Sequence, residues 1–145
     1  MDLLKLVEAN KQLKLADYLL TNTYHFSEDP KLLIGILSSL KKYYTLIMEL
    51  LLEEQINDFE KSLKKLEVQK TILNTTDLNQ INTIFKIIKR HEESSVEFVR
   101  KKQLVLCDED YSLEVLSLAQ LKQFLSRAKK IHKKIILFVR SVKND

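Results

Sequence analysis

Apolar residues recur along most of this chain at intervals of three and four, the mark of helices that each bury one face. Over residues 3–24 the stripe is Leu6, Ala9, Leu13, Ala16 and Leu20, narrow and partly built of small residues. It stops at HFSEDP, where Ser27 or Asp29 is placed to cap a second helix and Pro30 fits that helix's first turn. The second helix is predicted over residues 30–54. Leu33, Ile36, Leu37, Leu40, Tyr44, Ile47 and Leu51 form its main stripe, and Tyr43, Leu46, Met48, Leu50 and Leu52 make it apolar nearly all round. Such a helix is surrounded by partners on several sides. Gly35, the one glycine of the chain, lies inside it and is expected to permit a close helix crossing.

The periodic pattern runs on towards Lys70, but a single rod of that extent would be about 60 Å long and would outrun a domain of this size. A break is therefore expected at residues 55–58, with Asn57 and Glu60 as a cap-like restart. A third helix presents Ile56, Phe59, Leu63 and Leu66. A fourth, capped by Thr75 or Thr76, presents Leu78, Ile81, Phe85 and Ile88. After Ser94-Ser95 the texture changes. Phe98-Val99 and QLVLC at 103–107 are apolar and β-branched, and residues 111–116 alternate, with Asp108, Glu109 and Asp110 between the two segments. A two-stranded hairpin at about 103–107 and 111–116 follows, one that must lean on the helices. In SLAQ, Ser117 and Gln120 make a capping box that opens a last helix to about Val142. Its stripe is Leu121, Phe124, Ala128, Ile131, Ile135, Phe138 and Val142. The expected fold is mainly α: one domain over 1–145, an up-and-down bundle of about five helices with the hairpin before the last.

Composition narrows the classes. One Gly, one Pro and no Trp leave too few chain-reversing residues for a turn-rich sandwich or barrel. A single cysteine, Cys107, forms neither an internal disulfide nor a thiolate metal site, and suggests a reducing, cytoplasmic setting. The start, MDLLKLVEANKQ, shows no basic and apolar secretory pattern, and the apolar run from Tyr43 to Leu52 is cut by Glu49, so no membrane segment is expected. The net charge is +4, yet residues 127–143 hold seven cations and no acid. Lys129, Lys130, Lys133, Lys134 and Arg140 are thus candidate phosphate contacts; as a solvated helix face they need no ligand. A basic membrane-surface helix at 119–143 is a third reading, but its wide apolar arc is better used in a core.

Chemical motifs are sparse. No two of the three histidines stand at i, i+4, no Glu-x-x-His occurs, and no GxSxG nucleophile turn is present, so neither metal nor cofactor is expected. One constellation remains: SRAKKIH at 126–132, an arginine followed five residues later by a histidine. With Ala128 at the centre of the apolar arc, His132 falls inside it and Arg127 just outside its far edge, about 140° away. The two would not touch directly but would border a groove formed with another helix or subunit.

Long helices with R-x4-H on the last one resemble the HEPN superfamily. That resemblance implies dimers of four- or five-helix subunits and metal-independent ribonuclease activity, with the motif residues meeting in the dimer cleft. Carried over, Arg127 would stabilise phosphate charge and His132 would act as acid or base for attack by the ribose 2′-hydroxyl. Active members have a polar residue, commonly Asn, directly after the arginine, and this chain has Ala128. LADYLLTNTY at 15–24, DPKLLIGIL at 29–37 and SSVEFVRKKQLVL at 94–106 also resemble a small group of uncharacterised archaeal helical proteins, which implies a cytoplasmic setting and no particular activity. Packing signals thus far outnumber chemical ones. The leading expectation is a non-enzymatic helical interaction module that self-associates or docks a protein partner, with Leu46, Leu50 and Val139 as leftover apolar positions. The alternative is a HEPN-type ribonuclease or RNA binder using Arg127 and His132.

Overall fold

The computed structural model describes residues 1–29, 31–69, 72–93, 96–100, 103–107 and 113–144, with the side chains of 96–100 and 143–144 left out. The first rod is α-helical over Leu3–Tyr18, π-helical over Leu19–Thr23 and α-helical again over Tyr24–Ser27; together these are α1. Helices α2 (Leu32–Leu52), α3 (Phe59–Gln69) and α4 (Thr75–Glu93) follow. Strands β1 (Val96–Arg100), β2 (Gln103–Cys107) and β3 (Leu113–Leu116) then precede α5 (Leu118–Asn144). The expected class holds: a helical bundle with an antiparallel hairpin before the last helix.

Across the π turn Leu20 and Tyr24 both face the core, where each is buried. Thr21 Oγ1 donates to the Asp17 carbonyl at 2.7 Å, covering one backbone acceptor of this turn. With one glycine in the chain, α1 and α2 end on glutamates in the left-handed region, Glu28 (φ 53°) and Glu53 (φ 54°). Asp29 Oδ1 accepts from the Lys31 N–H at 3.0 Å just ahead of α2, but the cap itself is Lys31, without a side-chain bond, rather than Ser27 or Asp29; Pro30 lies outside the described residues.

Two caps shift by one residue. Helix α3 is capped by Asp58, whose Oδ1 accepts from the Lys61 N–H at 3.2 Å, rather than by Asn57. Helix α4 is capped by Asn74 rather than Thr75 or Thr76, and its box is reciprocal: Asn74 Oδ1 accepts from the Asp77 N–H at 2.8 Å, and Asp77 Oδ2 from the Asn74 N–H at 3.2 Å. Ser117 caps α5 as expected, accepting from the Gln120 N–H at 3.2 Å.

Helix α2 occupies the middle and packs against α1, α3, α4 and α5. Leu33, Ile36, Leu37, Leu40, Tyr43, Tyr44, Ile47 and Met48 are all sealed from solvent. Each such aliphatic side chain contributes roughly 1.5–3 kcal/mol by leaving water. A Cβ placed on Gly35 would meet no atom within 4 Å, so the close crossing expected there is absent.

The sheet has three strands in the order β1-β2-β3, both pairings antiparallel. The expected hairpin is β2 with β3, and β1 extends it on the other side, with Phe98 opposite Val105. Residues 108–112, the expected turn and the start of the second strand, lie outside the described residues. Leu104, Leu106 and Leu116 anchor the sheet in the common core, and Glu114 reaches Arg90 of α4 at 3.5 Å.

Glu53→Gly should stabilise the fold by about 0.5–1 kcal/mol in urea unfolding, because glycine takes the left-handed cap without strain and the Glu53 pair with the chain's amino terminus is exposed.

Candidate functional site

The buried residues of α5, among them Leu121, Ala128, Ile131 and Ile135, press the helix onto the bundle, and this orientation places everything around SRAKKIH. His132 is 8% exposed. Its Nδ1 lies 3.0 Å from the hydroxyl of Tyr43 on α2, with the two rings edge to face at 5.6 Å. Tyr43 in turn packs edge to face on Tyr44 at 5.1 Å. The Tyr44 hydroxyl accepts from Gln80 Nε2 of α4 at 2.9 Å, and the same amide reaches the Phe124 carbonyl of α5 at 3.3 Å. A polar thread therefore crosses the core from α5 through α2 to α4.

Burial sets its ionisation. Desolvation pushes both tyrosine hydroxyls far above the ordinary phenol value, and the neighbouring Tyr44 raises Tyr43 further. Desolvation also holds His132 below its ordinary 6.5. All three groups are neutral at physiological pH, where neutral polar groups that pair with one another are the least costly kind to bury.

Arg127 goes elsewhere. Its Nη1 lies 3.8 Å from Asp77 Oδ1, and Lys134 Nζ lies 2.8 Å from Asp77 Oδ2. Asp77 is 1% exposed and sits in the first turn of α4, where the helix dipole also favours a negative charge. One carboxylate thus caps α4 and holds two cations of α5. Its Oδ1 makes no hydrogen bond among the described residues and is balanced by the guanidinium at longer range.

The structure does not bring Arg127 and His132 together: one turns towards α4, the other towards α2, as their separation on the helix requires. The candidate phosphate contacts divide as well. Lys129 pairs with Asp17 of α1 at 3.0 Å and Lys134 with Asp77, whereas Lys130, Lys133 and Arg140 are exposed. Among the described residues no group of three or more His, Cys, Asp or Glu could hold a metal ion, and no helix is long and apolar enough to cross a membrane.

Sequence reasoning missed Tyr43, Gln80 and Asp77 as partners of this helix. The Asn74-x-x-Asp77 box was readable from spacing; the contacts with α5 join residues more than forty positions apart and leave no local trace.

The expected docking residues also need correction. Leu50 and Val139 are buried in the core and Leu46 packs against it, because α2 is covered on every side. Exposed apolar side chains occur on α3 (Val68), β3 (Leu113) and α5 (Leu137), and α1 carries a group of them. Leu4 (74% exposed), Val7 (51%), Leu15 (44%) and Tyr18 (59%) share the side opposite Ala9, Leu13 and Ala16, which are buried. A groove of about 550 Å³ runs between the π turn and α5 over Leu20, Tyr24, Leu118 and Leu125.

Compared with known proteins, the chain matches no protein-family model, no curated protein and no solved structure. Its residues alone carry any functional reading.

Two outcomes test the buried thread. Tyr43→Phe and His132→Leu should each cost about 1–3 kcal/mol by leaving a polar atom unpaired, while the double variant costs less than their sum; a double-mutant cycle by urea unfolding reads the coupling. Because His132 titrates lower when folded than when unfolded, its share of stability is complete above pH 6.5 and declines as the pH falls below that value. In His132→Leu the thermal unfolding temperature should fall less between about pH 7 and pH 5 than in the wild type.

Proposed function

We propose that this protein is a non-enzymatic, mainly helical interaction module of the cytoplasm that works by self-association. One observation carries the reading: α1 is apolar on two opposite sides, and the outer one, with Leu4, Val7, Leu15 and Tyr18, has no partner among the described residues. Apolar residues scattered singly are ordinary on a surface, but four in register along one helix form a patch that another polypeptide would cover.

The same reading assigns Arg127 and His132 structural work. A ribonuclease of the kind the R-x4-H spacing resembles needs both side chains at one phosphate, with the histidine able to exchange protons with the substrate. Here the histidine is paired to Tyr43 and held neutral by burial, and the arginine balances Asp77.

Sedimentation velocity from low to several hundred micromolar should show a shift from monomer to twice the monomer mass; a monomer throughout counts against self-association. RNA incubated in EDTA with wild type or with Arg127→Ala/His132→Ala should remain equally intact. Cleavage by wild type that the double variant loses would restore the catalytic reading.

A further inference from the structure

The outer side of α1 has an internal order that selects its occupant. Leu4, Glu8, Lys11, Leu15 and Tyr18 are spaced four, three, four, three, the a and d positions of a heptad seam about 21 Å long. Leu4, Leu15 and Tyr18 are 74%, 44% and 59% open. The side chains of Glu8 and Lys11 are 55% and 67% open. The buried Ala9, Leu13 and Ala16 and the partly buried Leu6 lie on the far side of the helix and seat it on α2 and α5. Other polar ties of α1 face inward or along its ends: Lys5 to Glu49 at 3.0 Å, Asp17 to Lys129 at 3.0 Å.

From Leu4 to Leu15 the seam reads apolar, acid, base, apolar, with Tyr18 beyond it. Over that stretch its spacing is the same in both directions, while its charge changes sign on reversal. Laid antiparallel on a copy of itself, it sets Leu4 opposite Leu15 and Glu8 opposite Lys11, each pairing occurring twice about a two-fold axis. Within one chain Lys11 already holds Glu8 at 3.3 Å, so the centre of the pair becomes a ring of four alternating charges between apolar ends. Laid parallel, the same seam sets Glu8 on Glu8 and Lys11 on Lys11, which repel. A polar layer of this kind costs some stability and fixes orientation and register.

We infer that the outer face of α1 is a homodimer interface, an antiparallel two-helix seam whose partner is a second copy of this chain held in register by reciprocal Glu8–Lys11 pairs. This deepens the interaction-module reading and rests on it. A single helix pair of this length lies at the small end of specific interfaces, which suits micromolar rather than nanomolar association.

The test uses the full chain and sedimentation equilibrium, with circular dichroism as a check on folding; the altered positions are exposed and outside the core. Glu8→Lys and Lys11→Glu should each weaken dimerisation at least about tenfold, by setting like charges at the centre of the seam. The double variant Glu8→Lys/Lys11→Glu should regain wild-type association, and an equimolar mixture of the two single variants should form a heterodimer. In a Cys107→Ser background, mixed Leu4→Cys and Leu15→Cys chains should crosslink to each other on mild oxidation, with Leu4→Cys alone linking poorly. Dimerisation that ignores the charge reversals, or efficient Leu4→Cys self-linking, would overturn the seam and leave self-association standing. A wild type that stays monomeric at several hundred micromolar would overturn both.

Discussion

Helix α2 has almost no polar side to offer water, and the rest of the bundle is arranged to cover it. Its stripe from Leu33 to Met48 meets α1 on one side and α3, α4 and α5 on the others. Two tyrosines lie within that stripe. Enclosing Tyr43 and Tyr44 removes two hydroxyls from water, and a buried hydroxyl without a partner costs more than its ring gains in contacts alone would suggest. The fold supplies His132 for one and Gln80 for the other. The histidine that draws attention in the sequence is thus a consequence of how α2 is buried.

Asp77 does a related job for charge. The seven cations between residues 127 and 143 suggest a basic ridge when read along the chain. In the fold, Arg127 and Lys134 converge on one buried carboxylate at the start of α4, and Lys129 reaches Asp17 on α1. Lys129 stays exposed despite that pair, as do Lys130, Lys133 and Arg140. Polar chemistry has moved into joints between helices, while a set of apolar side chains on α1 has stayed outside. The proposed self-association rests on that inversion.

The helices were legible because burial on one side of an α-helix imposes a period near 3.6 that survives in a single sequence. Caps were less so. Asn57 and Asp58, or Asn74 and Thr75, are adjacent residues of similar chemistry, and which one caps depends on where the backbone enters the helix. Strand β1 was half visible, in Phe98-Val99, but a five-residue strand is marginal until it has a neighbour to pair with. Leu46, Leu50 and Val139 were misjudged for another reason. An apolar residue off the main stripe is surplus only if the helix has one partner; α2, with Leu46 and Leu50, has four, and α5, with Val139, packs against α1, α2 and α4.

By itself the sequence determined the helical class, the breaks at HFSEDP and near Asp58, the hairpin before α5, and that His132 would lie in the packing arc with Arg127 outside it. These follow from local periodicity and capping chemistry, which act between residues a few positions apart. Only the tertiary structure decided that His132 meets Tyr43, that Asp77 holds Arg127 and Lys134, and that α1 keeps an open apolar side. Those outcomes depend on which faces remain after every helix has been packed, and that is a property of the assembled bundle.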